Sequence, residues 1–399
     1  MAKHRILIVT NRVPFPLNDG GALAMHAMVQ GYYNEGWDVH LLSMNTSRHY
    51  VAPDDLPELY GKIAFDTFDI NTDVKLVPTV KNFIFSRKPN HVERFYDKDF
   101  DKKLKEIINT HDPELIQIES VYLASYIPSI RLVSTARIAI RLHNVEYQIW
   151  ERLSAEASSS FKRFYLRDLA ARIKRFETGA WNKADILIPI SVVDAALVKE
   201  AAIGKHVFVA PFGIEIPERK ETVEEKWIGY HIGAMDWMPN AEGIRWFLED
   251  IWPELHRQSP DFQFFFAGRN MPASFVKYDG KGVTCSGEVA NAGDFIADKK
   301  VLIVPLKSGG GIRIKILEAM AAGKLVLSTS VGMQGIDAEP GTHYLLAESE
   351  LDFQNQVQWL LANRESAEMI ARNGRKMVIN QYDSRKIIAS LAANLSRIL

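Results

Sequence analysis

Short runs of consecutive apolar residues alternate along the chain with segments in which apolar residues recur at helical spacing. Such runs are typical of strands that are buried on both faces of a parallel sheet. A helix is predicted from about Ala22 to Glu35, ending at Gly36. The strands predicted for the first half are Ile6–Val9, Val39–Leu42, Leu115–Ile118, Ile138–Leu142, Ile186–Ile190 and Val207–Ala210.

A second series of strands and helices begins after Pro211-Phe212-Gly213. Its predicted strands are Ile228–Ile232, Gln263–Ala267, Val301–Pro305 and Leu325–Ser328, and its predicted helices are Ala241–His256, Ile312–Ala322 and Leu351–Ala362. The pattern predicts two doubly wound, Rossmann-like α/β domains, residues 1–211 and 212–383, that face each other across a cleft. Ligands of open α/β sheets bind at the carboxyl ends of the strands. An amphipathic helix over 384–399 either closes the second domain or packs back on the first.

Composition narrows the class of protein. A chain of 399 residues fits about two domains of ordinary size. Its net charge of −1 does not favour a nucleic-acid binder, and the single Cys285 excludes a disulfide framework or a multi-cysteine zinc site. No apolar run reaches the roughly 18 residues of a membrane span. We therefore expect a cytoplasmic protein.

The basic stretch Phe161–Arg175 leaves a peripheral contact with the inner face of a membrane open. A helix that packs one face on the core explains the same pattern.

The segment from Ser308 to Gly323 holds the strongest chemical signal. Gly309, Gly310 and Gly311 follow a predicted strand and precede a helix, where free backbone N–H groups suit an anion. Arg313 and Lys315 oppose the helix dipole in the first turn, and a bound diphosphate would turn that penalty into attraction. The alternatives are solvated cations, or an ion pair of Lys315 with Glu318 three residues on.

The residues from Gly309 to Val326 resemble the donor-site signature of group 1 glycosyltransferases, that is, family 4 enzymes with the two-domain GT-B fold. Weaker matches occur in family order along nearly the whole chain. They are Gly20-Gly21, His143-Asn144-Val145-Glu146, Pro211 to Glu215, Gly233 to Trp237 with Pro239-Asn240, Phe266-Ala267-Gly268 and Gly287-Glu288-Val289.

The resemblance implies a retaining, metal-independent transferase without a cofactor, with a nucleotide sugar on the C-terminal domain and the acceptor mainly on the N-terminal one. It implies that Glu318 holds the ribose, that Gly20 and Gly21 approach the diphosphate, that the Val289 region contacts the base and that His143 lies beside the donor sugar. From the residues alone, Gly20-Gly21 is equally consistent with a tight turn, and His143 with a loop or capping histidine.

Two departures from the family concern the residues that would bind the sugar and the diphosphate of the donor. Gly310 stands where many relatives carry a glutamate, so we expect backbone N–H groups from Gly309 to Ile312 to contact the sugar. The loop from Asp236 to Asn240 lacks the usual arginine and lysine, which leaves Arg313 and Lys315, and with less support Arg269, as the cations.

Asp97-Lys98-Asp99 matches a metal-binding pattern of other transferases, but its place before a charged helix favours capping residues. No metal is expected.

We therefore expect transfer of a sugar to a glycan, lipid-linked or other hydroxyl acceptor, in bacterial-type polysaccharide or glycoconjugate synthesis. His143, Arg313 and Lys315 are the predicted catalytic residues. The alternatives are a sugar-nucleotide epimerase of similar fold and a non-catalytic protein that binds nucleotide sugars.

Overall fold

The computed structural model describes residues 3–399 apart from 18, 73–88, 158, 218–223 and 310. The chain divides into two compact units, Met1–Gly213 with Ser384–Leu399 and Ile214–Asp383. Each unit is built on its own sheet, and every described strand pair in both sheets is parallel.

The first sheet has the strand order β3-β2-β1-β4-β5-β6-β7. Its strands are β1 (Arg5–Thr10), β2 (Asp38–Thr46), β3 (Ala64–Ile70), β4 (Leu115–Ile118), β5 (Arg137–Leu142), β6 (Ile186–Pro189) and β7 (His206–Val207). Its helices up to the end of this sheet are α1 (Gly20–Asn34), α2 (Asn90–Glu93), α3 (Lys98–His111), α4 (Ile127–Ile130), α5 (Glu146–Glu156), α6 (Ser160–Lys183) and α7 (Val192–Ala201).

Apolar side chains cover both faces of the first sheet. On β1, Leu7 and Val9 belong to one buried cluster, whereas Ile6 and Ile8 belong to another. Successive strand residues point to opposite faces, so a continuous apolar run is what a sheet covered on both sides requires.

The second sheet has the order β10-β9-β8-β11-β12-β13. Its strands are β8 (Lys226–Ile232), β9 (Phe264–Ala267), β10 (Val283–Cys285), β11 (Lys299–Val304), β12 (Leu325–Ser328) and β13 (Leu345–Leu346). Its helices are α8 (Met238–Trp246), a π-helical turn (Phe247–Ile251), α9 (Trp252–Gln258), α10 (Ala292–Ile296), α11 (Ile314–Ala321), α12 (Ser330–Met333), α13 (Glu350–Ala362) and α14 (Arg364–Gln381).

The C-terminal helix α15 (Ser384–Ser396) belongs to the first unit. Ile388, Leu391 and Leu395 are buried in the cluster that also contains α1 residues. A Cβ atom on Gly31 of α1 would lie 2.5 Å from side-chain atoms of Ile388. The close approach of these two helices therefore requires glycine at position 31.

The predicted fold class of two parallel, Rossmann-like sheets is confirmed, but several elements differ from the predictions. Strands β3, β10 and β13 were not predicted. The second has three residues and the third two, and β3 mixes aspartate with half-buried residues. The predicted helix Ala241–His256 is interrupted by the π-helical turn, and the predicted strand Val207–Ala210 shrinks to His206–Val207.

Across the described parts of the chain, no helix is both long and apolar enough to cross a membrane.

Candidate functional site

The carboxyl ends of the second sheet bring together most of the predicted donor-site residues. Strands β8 and β11 are neighbours, and from this pair the strand order runs outward in both directions. Such a switch point is where open α/β sheets form a crevice for ligands. Glycine-containing loops follow β8, β9 and β11 there, and α11 begins after the last of them.

The loops after β8, β9 and β10 lie in direct contact. The Gly268 N–H donates to the Gly287 carbonyl at 2.8 Å, and the Met235 N–H donates to the Arg269 carbonyl at 2.8 Å. A Cβ atom on Gly268 would lie 1.8 Å from the Gly233 carbonyl oxygen. Gly268 thus allows a backbone approach that any side chain would block.

Two residues of the glycine loop adopt positive φ angles, which explains why glycine stands at these positions. Gly309 has φ 121° and Gly311 has φ 82°, both in the region that favours glycine. A Cβ atom on Gly309 would lie 2.8 Å from a guanidinium nitrogen of Arg313 and 3.0 Å from the Trp237 ring. Gly310 lies outside the described residues.

Helix α11 begins at Ile314, so the predicted start at Ile312 was wrong and Arg313 is the residue that precedes the helix. Arg313 is buried, and its guanidinium carbon lies 5.1 Å from the centroid of the Trp237 ring. The guanidinium also donates to the Gly311 carbonyl. These contacts hold a cation against the glycine loop.

Lys315 is partly buried, and its ammonium donates two hydrogen bonds to neutral acceptors. One goes to His231 Nε2 at 3.0 Å and the other to Asn240 Oδ1 at 2.9 Å. Burial, together with the positive charge of Arg313, lowers the pKa of Lys315 to about 7. The alternative pairing of Lys315 with Glu318 is not what the structure shows.

The neighbours of these two acceptors define their orientation. His231 Nδ1 lies 2.8 Å from the Ile303 carbonyl, which can only accept, so the ring proton belongs on Nδ1. Asn240 Nδ2 donates to the Ala234 carbonyl at 2.9 Å, which turns the amide oxygen toward Lys315. Burial, with the Lys315 charge, holds the pKa of His231 well below its ordinary range.

Four other predicted donor residues lie in α11 and in the loops at this end of the sheet. Glu318 is exposed on α11, yet desolvation by the protein around its carboxyl raises its pKa. Arg269 is exposed after β9, and Val289 is half-buried in the loop after β10. Ile312 is half-buried in the loop before α11. Their predicted roles stay predictions.

Gly20 and Gly21 are the first two residues of α1, not part of the preceding loop. The helix is capped by Asp19, whose carboxylate accepts from the N–H groups of Gly21 at 2.9 Å and Ala22 at 3.1 Å. Arg12 also donates to this carboxylate at 2.8 Å. The Gly21 N–H is thus already used, which weakens its predicted contact with a diphosphate.

His143 follows β5 in the first unit and contacts a residue that the sequence analysis missed. Its Nε2 lies 3.0 Å from a carboxylate oxygen of Glu119, which follows β4 and is fully buried. Burial raises the pKa of Glu119, but the charges of Arg141 and His143 outweigh that effect and hold it below its ordinary value. Because the carboxylate accepts, His143 carries a proton on Nε2.

Helix α5 begins at Glu146. The buried Glu177 of α6 accepts from the N–H groups of Glu146 and Tyr147, both at 3.0 Å. Burial raises the pKa of Glu177 to about 7. These two hydrogen bonds fix the start of α5, directly after the segment that carries His143.

Two further predictions have structural explanations. Asp97 caps α3, with its carboxylate accepting from the N–H groups of Asp99 and Phe100. Among the described residues, no cluster of three or more His, Cys, Asp or Glu side chains could hold a metal ion. In α6, Leu166 and Ile173 are buried, so packing on the first unit accounts for the apolar face of the basic stretch.

His231, Asn240 and Glu119 are the site residues that the sequence analysis missed as functional. Each contacts a predicted site residue, Lys315 or His143, that lies 24 residues or more away along the chain. The available signal was positional, since His231 lies near the end of β8 and Glu119 directly after β4. Polar residues at the carboxyl ends of parallel strands are candidates for a site.

Comparisons with known proteins agree with this picture. Residues 227–363 match the family model of group 1 glycosyl transferases. An uncharacterized 44.6 kDa protein in a cps region of Klebsiella pneumoniae is 22% identical, with 97% of this chain and 98% of that protein aligned.

Solved structures share the fold at low sequence identity. Sucrose-phosphate synthase from Thermosynechococcus elongatus has a TM-score of 0.66 at 16% identity, covering 99% of both chains. HepE from Anabaena in complex with UDP has a TM-score of 0.62 at 13% identity, covering 98% of this chain and 100% of that one. The pneumococcal O-GlcNAc transferase GtfA, in complex with UDP and GlcNAc, has a TM-score of 0.60 at 10% identity, covering 100% and 99%.

The resemblance to group 1 glycosyltransferases of GT-B fold is therefore confirmed. The family match identifies residues 227–363 as a group 1 glycosyl transferase domain.

Proposed function

Because residues 227–363 form a group 1 glycosyl transferase domain within a chain of GT-B fold, we propose that the protein is a retaining glycosyltransferase. It transfers a sugar from a nucleoside-diphosphate sugar, bound by the second unit, to a hydroxyl acceptor bound mainly by the first. The observation that carries this proposal is the Lys315 ammonium, held at the switch point by two neutral acceptors. Among the residues that the structure describes, this cation has no anionic partner, and a diphosphate supplies one.

The proposed chemistry is electrostatic. The nucleoside diphosphate leaves with growing negative charge, and fixed cations and N–H groups aimed at such charge are often the largest catalytic contribution. Lys315, Arg313 and the N–H groups of the glycine loop fill this role. A metal ion is not needed, because the two side chains carry the charge that a metal would otherwise supply.

In the first unit, His143 contacts the donor sugar in the proposed mechanism. His143 donates its Nε2 proton to the Glu119 carboxylate in a hydrogen bond. The other ring nitrogen, Nδ1, can then accept a hydrogen bond from a hydroxyl group, or donate one when it is protonated. Glu318 binds the ribose, since a carboxylate can accept from two hydroxyl groups at once.

Polysaccharide or glycoconjugate synthesis is the setting we propose. The Klebsiella relative in a cps region supports it. HepE in complex with UDP-glucose, and GtfA with UDP and GlcNAc, make uridine donors the first to test.

The test is a panel of UDP-, GDP- and dTDP-sugars with glycan and lipid-linked acceptors, with and without EDTA. Mass spectrometry detects the transferred sugar, and NMR reports its anomeric configuration. We expect transfer with retained configuration that EDTA does not abolish. An altered sugar formed from donor alone would identify an epimerase instead, and tight donor binding without turnover across the panel would identify a binding protein.

A peripheral membrane contact through α6 is a separate proposal. Phe164 is 65% exposed, and the neighbouring Arg163 and Arg167 are exposed as well. Sedimentation with vesicles of anionic and neutral lipid tests it. Binding only to anionic vesicles, lost in Phe164→Ser, supports it, and equal sedimentation of the variant would contradict it.

A further inference from the structure

The Lys315 ammonium depends for its direction on a residue that lies beneath it in the sheet. His231, near the end of β8, is fully buried, and its Nε2 accepts from Lys315 at 3.0 Å. On its other side the ring reaches the Ile303 carbonyl on the neighbouring β11 at 2.8 Å. The ring therefore spans the two strands of the switch point and ends at the lysine.

We infer that His231 is a positioning residue, held as the neutral Nδ1–H form, that directs the Lys315 ammonium toward the diphosphate of the donor. This inference rests on the proposed donor site and assigns a role to a residue that has no contact with the ligand in that proposal.

The hydrogen-bond chemistry of the cluster supports the assignment. A carbonyl can only accept, so the bond to Ile303 places the proton on Nδ1 and leaves a lone pair on Nε2. An ammonium has three N–H donors. His231 and Asn240 take two of them, which fixes the direction of the third. The cluster thus orients a charge without neutralising it.

The groups around Lys315 explain why a neutral histidine is required. Arg313, in the loop before α11, adds positive charge near the ammonium, and Glu318 lies one turn along the same helix. A second proton on His231 would place a third positive charge in the cluster and remove the acceptor. The low pKa of His231 that burial and Lys315 produce fits the neutral form.

The loop after β8 also limits the space around the Lys315 ammonium on one side. A Cβ atom on Gly233 would lie 3.1 Å from the Lys315 nitrogen and 2.7 Å from the Asn240 amide nitrogen. Backbone therefore lies against the cluster on this side.

Two substitutions separate positioning from simple packing. His231→Phe keeps a ring of similar volume but removes the acceptor for Lys315. His231→Gln keeps a side chain that can both donate to Ile303 and accept from Lys315. Circular dichroism and thermal unfolding establish that each variant is folded before binding is measured.

The experiment compares calorimetric binding of UDP and UMP, with inorganic pyrophosphate as a probe that carries no base. A charge-assisted hydrogen bond contributes roughly 1.5–3 kcal/mol, or about ten- to hundredfold in affinity. We expect His231→Phe to lose about tenfold in UDP and pyrophosphate affinity while UMP binding changes little, and His231→Gln to recover most of the loss. Equal loss for UDP and UMP, or none for either, would overturn the inference.

Nitrogen NMR of the histidine ring is the second readout. It should show a protonated Nδ1 and an unprotonated Nε2 whose shift changes in Lys315→Met. A proton on Nε2 would also overturn the inference.

These binding results are independent of turnover. If UDP binding follows this pattern but no acceptor is ever glycosylated, the proposed function fails and the positioning role stands. If transfer occurs and His231→Phe leaves the preference for UDP over UMP unchanged, the positioning role alone fails.

Discussion

The second sheet has buried or partly buried lysines at both ends of its strands. Those at the amino ends form ion pairs, whereas the one at the carboxyl ends bonds to neutral acceptors. At the amino ends, Lys300 bonds to Glu225 at 2.7 Å and to Glu368 at 2.9 Å, and Lys324 bonds to Glu225 at 2.8 Å. At the carboxyl ends, the bonds of Lys315 go to His231 and Asn240. Within the part of the chain that the structure describes, Lys315 makes no ion pair.

The difference separates a structural cluster from a binding site. Buried charges in proteins are normally paired, because removing an unpaired charge from water is costly. The amino-end cluster follows this rule. In the carboxyl-end cluster the cation has only neutral acceptors. Such an unfavourable arrangement is typical of a functional site, where a ligand supplies the missing charge.

The largest expected effect is on catalysis, and matched lysine substitutions at the two ends test it. Lys315→Met should lower kcat/KM by about 100-fold or more, the range found when one charge-stabilising group is removed. Lys324→Met removes a buried lysine from the same unit and should keep activity within about threefold, since it lies remote from the switch point. Steady-state kinetics with the best donor and acceptor measures both.

Equal loss of activity in the two lysine variants would break the comparison. It would mean that any damage to the second unit abolishes transfer.

Stability should change in the reverse order. Lys324→Met leaves Glu225 with one partner fewer and should lower the free energy of unfolding by about 1–3 kcal/mol. That corresponds to a fall of several degrees in Tm. Lys315→Met removes an uncompensated cation and should unfold at or above the wild-type temperature. Differential scanning calorimetry at pH 7 without ligand measures this, and a lower Tm for Lys315→Met would contradict the account.

Two glycine substitutions test the loop itself. Gly309→Ala meets a positive φ and contacts with Arg313 and Trp237, whereas Gly341→Ala meets a positive φ with open space around it. Both should cost about 1 kcal/mol of stability from strain. Only Gly309→Ala should also weaken UDP binding, by about tenfold. The added methyl group displaces the Arg313 guanidinium, which then loses a charge-assisted hydrogen bond to the diphosphate. Comparable UDP affinities in the two variants would remove the loop from the donor site.

The smallest expected effect is on pH dependence. The pKa of Lys315 is about 7 without ligand, and a diphosphate should raise it, so binding takes up a proton above pH 7. The affinity for a diphosphate should therefore be highest below the pKa of free Lys315 and fall by up to about tenfold per pH unit above it. Calorimetry at pH 8 in buffers of different ionisation enthalpy should show uptake of nearly one proton by wild type and none by Lys315→Met. No proton uptake in wild type would contradict the claim that the charged form of Lys315 binds the diphosphate.

The sequence predicted the parallel sheets well because burial on both faces leaves a clear trace. The run Leu115–Ile118 is fully apolar apart from Gln117, and the predicted strand matches β4. Strand β3, with aspartates at 66 and 69 and half-buried neighbours, lacks such a run. Its pairing with β2 is a tertiary contact that local pattern does not encode.

The donor loop was similarly visible, whereas its supports were not. Positive φ at Gly309 and Gly311 is a local requirement, so glycine signals it directly. The partner of Lys315 is His231, 84 residues earlier and inside a strand that reads as ordinary core. Sequence neighbours therefore suggested Glu318 for Lys315, and only the hydrogen bond from Lys315 to His231 on β8 corrects the choice.

The central claim is that the carboxyl ends of the second sheet bind a diphosphate through Lys315. Calorimetric titration of UDP into wild type, Lys315→Met and Lys324→Met tests it most directly. The account predicts that wild type and Lys324→Met bind UDP with closely similar affinity, and that Lys315→Met binds it at least about tenfold more weakly. Unchanged UDP affinity in Lys315→Met would contradict the account.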